Sequence, residues 1–277
     1  MKAKLLLTGA SGFIGSQIYK ALKDDFEVTA IASSSKHQDF TALDLLDGKA
    51  CRDFFHDKKF DLIIHAAAIA HGKNKTTTSV GDANIQMTRN IFNSLDSKDS
   101  TVVYLSSVSV YSFKNNKETI SVQDVPIPVT EYGESKLACE KIIQERNPKT
   151  LHILRLAPVY SETNLNDLGK RVFLPVFKVP FFTKQERIYS LCNINQAVKT
   201  VTAALKLSEN SLVIVKDDKD YTQQDLLSFF NLEKPKIVIN RNIVGPLLFA
   251  LKLVPVSKVN VIRDMFTKLF YSVRYTN

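Results

Sequence analysis

The chain has 277 residues, 44% hydrophobic and 23% charged, with three widely spaced cysteines and a net charge of +9. This composition excludes wholesale disorder, collagen and coiled coil. Cys51, Cys139 and Cys192 form neither a disulfide framework nor a zinc pattern, so no metal and a reducing, cytoplasmic setting are expected. The basic excess suits an anionic small molecule rather than nucleic acid, because there is no dense basic run and no tryptophan to stack on bases.

Ala3–Leu7 reads as a buried strand ahead of a glycine-rich turn. Its leucine run is too short for a signal-peptide core. Phe13–Leu22 carries helical periodicity, and Val28–Ala32 and Leu62–His65 read as strands. Asn84–Leu95 reads as a helix, Val102–Leu105 as a strand, Tyr132–Ile143 as a helix and Leu151–Leu156 as a strand. Beyond Pro158 the pattern loosens. Leu165–Phe182 predicts a helix and then a loop, Asn193–Leu207 a helix, Leu212–Val215 a strand, Tyr221–Phe230 a helix and Ile237–Ile239 a strand. The last stretch predicts a helix, a break at Pro255, a second helix, and a strand at Tyr271–Tyr275. The best apolar run, Ile243–Leu251, contains Pro246 and stops at Lys252, so no stable membrane insertion is expected.

Short buried strands alternating with helices predict an α/β fold. The expected architecture is a Rossmann-type doubly wound parallel sheet over residues 1–160. A smaller C-terminal α/β substrate lobe over 161–277 is expected beside it, partly interleaved.

Thr8-Gly9-Ala10-Ser11-Gly12-Phe13-Ile14-Gly15 follows a strand and opens a helix. Gly9 permits a tight turn, Gly12 lets a pyrophosphate approach the backbone, and Gly15 lets helix pack on strand. The free N–H groups at the helix start would face the phosphates. After the second strand, Ser33, Ser34, Ser35 and Lys36 stand where NAD enzymes tend to place an acid, so hydroxyls and Lys36 favour NADP, with NAD as the alternative. Asp44 can accept from an adenine amino group or cap a helix; Asp47 fits the capping role better. Tyr132 and Lys136 are four residues apart on one helical face, where a lysine cation would lower the phenol's pKa. Ser107 ends a buried strand and can hydrogen-bond a reacting carbonyl oxygen.

In order, these motifs resemble the extended short-chain dehydrogenase/reductase family of nucleotide-sugar epimerases and reductases. The resemblance rests on Thr8–Gly15, Asp44-Leu45, His65-Ala66-Ala67, Ser107 with Tyr111, Tyr132–Lys136, and Leu154-Arg155 with Val159-Tyr160. Asn84 matches the family's asparagine on the helix behind the cofactor. The likeness is strong over residues 1–160 and weaker beyond, where Asn193 and Asn195 replace a His and an Asp, and Ser161 replaces a glycine.

The resemblance implies that Tyr132 is the general acid-base, that Ser107 binds the same substrate oxygen, and that Lys136 holds the ribose and tunes Tyr132. It implies a cofactor site made of Gly9, Ser11, Gly12, Phe13, Ile14, Ser33, Lys36, Asp44, Leu45, Ala66, Ala67, Asn84, Lys136 and Pro158. Val108 and Ser109 stand where sugar dehydratases carry Asp-Glu, and the fucose-synthase branch has a cysteine at 109. That leaves 4-ketoreductases and 4-epimerases of nucleotide sugars. Ala67–His71 and Leu269–Tyr275 are similar to bacterial reductases of 4-keto-6-deoxy-hexosamine nucleotides, so the expected reaction is 4-keto reduction in polysaccharide or deoxysugar biosynthesis. His71 and Ser109 would line the sugar pocket, and Arg187 would contact the diphosphate. A homodimer is compatible with this assignment. The alternatives are a 4-epimerase, a non-catalytic NADP-binding sensor, and a membrane-peripheral protein using Ile243–Val261.

Overall fold

The leucines at 5–7 lie between Lys4 and Thr8 and form the first strand, β1 (Lys4–Thr8), buried from Leu5 onward. The computed structural model describes residues 1–34, 37–69, 79–111, 119–174, 177–235, 237–242 and 257–277, and the side chains of 257–261 and 263 lie outside that description. After β1 come α1 (Phe13–Leu22), β2 (Glu27–Ala32), β3 (Phe40–Ala42), α2 (Gly48–Phe55), β4 (Leu62–His65), α3 (Val80–Ser94) and β5 (Thr101–Ser107). A 3-10 turn at Val108–Val110 leads to β6 (Thr119–Ser121), α4 (Glu131–Gln144), β7 (Thr150–Leu156), β8 (Val159–Tyr160) and α5 (Asn166–Val172). The remainder comprises β9 (Phe182–Thr183), β10 (Ile188–Tyr189), β11 (Cys192–Asn193), α6 (Ile194–Ala204), β12 (Ser211–Val215), β13 (Tyr221–Thr222), α7 (Gln223–Ser228), β14 (Val238–Ile239), α8 (Ser257–Phe270) and β15 (Arg274–Thr276).

The chain divides into two compact units. Unit 1 takes residues 1–109, 131–155 and 197–213; unit 2 takes 110–130, 156–196 and 214–277. Unit 1 is built on a seven-stranded sheet in the order β12-β7-β5-β4-β1-β2-β3. β1 pairs in parallel with both β2 and β4, and the parallel pairing continues to β3 and β5. The order reverses at β1, and in such sheets ligands bind beyond the carboxyl ends of the strands at the reversal. The α/β doubly wound fold read from the sequence is therefore the observed one.

Leu6, Ile31, Ile63, Val102 and Ile153 from the strands pack with Phe55, Ile91, Phe92, Cys139 and Ile143 from the helices. Asp47 caps α2 by accepting from the Lys49 and Ala50 amides at 2.9 Å each, as its sequence position suggested. Unit 2 carries short two-stranded pairings, β10 with β13, β11 with β8, β14 with β9 and β15 with β6. Its small apolar cluster joins Phe181, Leu269 and Phe270. All three cysteines are buried. Among the described residues no helix is long and apolar enough to cross a membrane. Ile243–Leu251 and the first helix expected there lie outside the described residues.

Candidate cofactor site and active site

The glycine turn after β1 has room for backbone only. Gly9 sits at φ +74, a left-handed conformation that penalises any side chain, and a Cβ there would lie 2.7 Å from the Ala67 nitrogen. A Cβ on Gly15 would lie 2.1 Å from the Gly9 oxygen, so α1 meets the turn at backbone contact. Gly12 caps α1 without a side-chain acceptor, and no acid stands in the first turn. The positive end of the helix is thus left to an anion. Ser11, Gly12 and Phe13 are exposed and Ile14 is half-buried. This cradle fits a dinucleotide pyrophosphate.

A buried polar column supports the turn. Thr8 Oγ1 lies 2.8 Å from His65 Nδ1 and accepts from the Ala67 amide at 3.3 Å. His65 Nε2 lies 2.9 Å from Thr88 Oγ1, whose hydroxyl donates to the Asn84 carbonyl at 3.0 Å. Burial first, and the Lys136 charge second, push His65 down to about 3, so the imidazole is neutral at physiological pH. Asn84 reaches across with both ends of its amide. Its Oδ1 accepts from the Ile69 amide at 2.7 Å, and its Nδ2 donates to the Ile69 carbonyl at 3.0 Å and to Ser135 Oγ at 3.3 Å. Asn84 therefore fixes the chain just beyond Ala66 and Ala67, which are half-buried beside the Gly9 turn.

Ser33 and Ser34 are exposed at the end of β2, and Lys36 lies outside the described residues. Asp39 is the first carboxylate after β2, and it accepts from Tyr19 Oη at 3.2 Å. Asp44 is exposed while Leu45 is buried, and Asp44 Oδ1 accepts from the Leu46 amide at 2.9 Å. Its side chain thus already serves a turn of its own.

The candidate catalytic residues lie on α4 and β5. Lys136 is 3% exposed, and its Nζ donates to the Leu105 carbonyl at 2.7 Å. The same nitrogen stands 4.9 Å from the Tyr104 ring centre and 5.8 Å from that of Tyr132. Burial lowers Lys136 to about 8, against smaller upward pulls from Cys139 and Glu140. Ser107 follows two residues after Leu105. Its hydroxyl donates to Ser109 Oγ at 3.1 Å and accepts from the Ser109 amide at 3.1 Å. Tyr132 is half-buried, and Ser135 beside it donates to its carbonyl at 2.9 Å.

Sequence reasoning missed the ion pair behind this face. Arg155 donates from Nε to Glu140 Oε1 at 3.0 Å and from Nη2 to Oε2 at 2.7 Å, with both side chains 4% exposed. Ser106 Oγ donates to Glu140 Oε1 at 2.5 Å. The signal was available: Glu140 lies one further helical turn beyond Tyr132 and Lys136, so a carboxylate falls on a face that must be buried.

Pro158 and Arg187 belong to unit 2. Pro158 is half-buried, and its carbonyl accepts from the Cys192 amide at 3.0 Å. Arg187 is 1% exposed. Its Nε donates to Gln223 Oε1 at 2.8 Å and its Nη1 to the carbonyls of Arg171 and Leu269. Those partners engage the guanidinium inside unit 2, which gives it a structural part rather than the diphosphate contact expected from its position before Tyr189. His71 lies outside the described residues. Among the described residues no cluster of three or more His, Cys, Asp or Glu side chains could hold a metal. Asn193, where a His was expected, donates its amide to Asp217 Oδ1 at 2.7 Å, and the Tyr221 and Tyr160 hydroxyls donate to Asp217 Oδ2 at 2.7 and 3.1 Å.

The sequence pattern of the NAD dependent epimerase/dehydratase family matches residues 5–178. The chain belongs to this family. Within it, the Gly9 turn and the open end of α1 fit the pyrophosphate of NAD or NADP.

Among its relatives, this family member is 27% identical over 164 residues to methionine adenosyltransferase 2 subunit beta of Rattus norvegicus, across 57% of this chain and 48% of that protein. It is 27% identical over 174 residues to the N-acetyl-alpha-D-glucosaminyl-diphospho-ditrans,octacis-undecaprenol 4-epimerase of Escherichia coli O157:H7, across 59% of this chain and 51% of that protein. The matched region thus spans about half the length of these curated relatives. The fold is similar to that of the dTDP-4-dehydrorhamnose reductase of Bacillus anthracis str. Ames in complex with NADP, with a TM-score of 0.66 and 19% identity over 88% of this chain and 86% of that one.

Proposed function

We propose that this chain is an NAD(P)-dependent oxidoreductase that reduces the 4-keto group of a nucleotide-activated sugar, with NADPH as the preferred reductant. The observation that carries the reading is the placement of Lys136, buried, 5.8 Å from the Tyr132 ring and hydrogen-bonded to β5 two residues before Ser107. Among the described residues no carboxylate forms an ion pair with this ammonium, whose nitrogen is held by a backbone carbonyl, and a purely structural helix has little use for a buried cation so placed. The nicotinamide, when bound, supplies the hydride. The protein's own residues handle the oxygen and its proton. Ser107 turns its hydroxyl from Ser109 to the substrate carbonyl oxygen and stabilises the charge that develops there. Tyr132 gives that oxygen its phenolic proton, and the Lys136 cation stabilises the phenolate left behind. Ser109, already hydrogen-bonded to Ser107, would hold a neighbouring sugar hydroxyl. Gly9, Ser11, Gly12, Phe13 and Ile14 would seat the pyrophosphate, and Ser33 with Lys36 the adenosine 2′-phosphate. Asp44, Leu45, Ala66, Ala67 and Asn84 complete the proposed cofactor site.

Two other readings compete. A 4-epimerase would use the same Ser107, Tyr132 and Lys136 with no net redox change. A non-catalytic NADP-binding sensor would hold the cofactor without turnover, and retention of all three residues speaks against it. The deciding experiment supplies the purified protein with a nucleotide-linked 4-keto-6-deoxy-hexose and follows NADPH absorbance and sugar stereochemistry. Stoichiometric NADPH loss with an alcohol product supports the reductase. Epimerised sugar with unchanged cofactor would establish the epimerase, and no conversion of any keto-sugar or sugar nucleotide would favour the non-catalytic sensor.

A further inference from the structure

Tyr132, Lys136 and Glu140 recur at four-residue spacing on α4, so they share one helical face. That face is tied to β5 at two points. Lys136 Nζ donates to the Leu105 carbonyl at 2.7 Å, and Ser106 Oγ donates to Glu140 Oε1 at 2.5 Å. The second point is locked from the next strand of the sheet, because Arg155 on β7 forks both Glu140 oxygens. Ser106 and Ser107 are consecutive at the end of β5, so holding Ser106 against α4 also holds the strand end that carries Ser107. A single carboxylate therefore sets where the turn carrying Tyr132 and Lys136 meets the strand that delivers Ser107.

The geometry points to Glu140, acting through Ser106 and Arg155, as a positioning residue that fixes the register of Tyr132 and Lys136 against Ser107. This inference rests on the proposed reductase chemistry for its turnover arm alone. A buried carboxylate one turn from a buried ammonium also favours the ammonium's charge, and Glu140 does act upward on Lys136. The other titratable or charged groups facing Lys136 are Tyr132 and Cys139 on α4, Tyr104 on β5 and His65 on β4, with Arg155 behind Glu140. His65 is neutral, and Arg155 is already neutralised by Glu140. Among these described groups Glu140 carries the one carboxylate.

The test uses two variants. Glu140→Gln keeps the side chain's shape and removes its charge. It also strands the Arg155 cation, which can prevent folding. Glu140→Met/Arg155→Met removes both charges, and such apolar replacements of buried ion pairs commonly fold as well as the parent. Two readouts apply to whichever variant folds. In protein labelled with 13C at lysine Cε, with Lys136 assigned by its loss in Lys136→Met, the Lys136 signal moves or splits in either variant. In Glu140→Gln it also titrates at lower pH than in the wild type. In the turnover assay kcat falls about 10- to 100-fold while KM changes little, the scale expected when reacting groups shift by about an ångström.

A Lys136 signal and titration that coincide with the wild type in a folded variant would overturn the inference. So would wild-type kcat in the double variant at wild-type melting temperature. If the wild type itself turns over no substrate, the reductase reading fails, and the lysine spectrum alone decides the role of Glu140.

Discussion

The Lys136 ammonium and the Leu105 carbonyl lie 2.7 Å apart, a hydrogen bond that crosses from α4 to β5 two residues before Ser107. It anchors a buried cation beside the Tyr132 ring and makes the strand end part of the same assembly. Lys136→Met keeps the apolar stem and loses this bond. Turnover is expected to fall by roughly 10²–10⁴-fold, the usual worth of a positioned acid-base unit. Cofactor affinity should fall with it if Lys136 also donates to the ribose, as we propose. Kinetics and a cofactor-quenching titration check the two effects separately. Unchanged cofactor affinity would confine Lys136 to tuning Tyr132.

The glycine turn gives a steric prediction. Gly15→Ala places a methyl 2.1 Å from the Gly9 oxygen, and Gly9→Ala forces a side chain into φ +74 against Ala67. Each should lower the melting temperature and abolish dinucleotide binding by calorimetry. Gly12→Ala, whose Cβ would lie 3.2 Å from the nearest atom, should be milder in stability. Wild-type cofactor affinity in Gly15→Ala would show that the turn holds no pyrophosphate.

Much of unit 1 was legible because its strands are unbroken apolar runs that no helix pattern explains. Leu62–His65 and Phe13–Leu22 have the bounds read from the sequence. β5 was read two residues short at its C-terminal end, because Ser106 and Ser107 interrupt the apolar run although the ladder continues through them. α3 begins at Val80, four residues before the expected start, since the Ser79 cap follows a polar stretch that resembles loop. Unit 2 was harder. Its strands are two or three residues long, and β6 pairs with β15, more than 150 residues away, a partnership that local pattern cannot reveal. Within the candidate site, the glycine turn and the Tyr132–Lys136 pair follow spacing rules. Glu140 follows the same spacing, but its partner Arg155 does not, because that pairing depends on which helix face meets which strand.

His65 predicts a stability that depends on pH. Its folded value of about 3 lies below the ordinary value near 6.5. Between those values the unfolded chain binds a proton that the folded chain refuses, so stability falls as pH falls. The contribution is fully present above about 6.5 and is lost progressively towards 3. Melting temperatures of the wild type should therefore drop more steeply between pH 6.5 and 4 than those of His65→Gln. Parallel curves for the two proteins would contradict a neutral, buried imidazole.

Arg187 offers a contrast between packing and binding. Its guanidinium bonds Gln223, Arg171 and Leu269 inside unit 2, and burial pushes its pKa down. Arg187→Met should lower the melting temperature, because Gln223 and two carbonyls lose a donor, at roughly 1–3 kcal/mol per buried group left unsatisfied. The KM for a nucleotide sugar should stay near wild type. A large rise in KM at unchanged stability would restore the diphosphate role.

Cofactor choice is tested at the end of β2. Ser33 is exposed there and the first carboxylate after β2 is Asp39, which accepts from Tyr19, so the strand end itself offers hydroxyls rather than an acid. NADPH should bind more tightly than NADH, and Ser33→Asp should reverse the order through repulsion and a new ribose contact. Tighter NADH binding by the wild type would overturn the NADP preference and strengthen the epimerase reading.

The central claim is that Tyr132 moves the proton, and Tyr132→Phe tests it most directly. Phenylalanine keeps the ring beside Lys136 and removes only the hydroxyl. The measurement is kcat for reduction of a nucleotide-linked 4-keto sugar, with melting temperature and NADPH affinity as controls. The account predicts a loss of roughly 10²–10⁴-fold in kcat with both controls near wild type. Full activity in Tyr132→Phe, with the fold and cofactor binding intact, would contradict it.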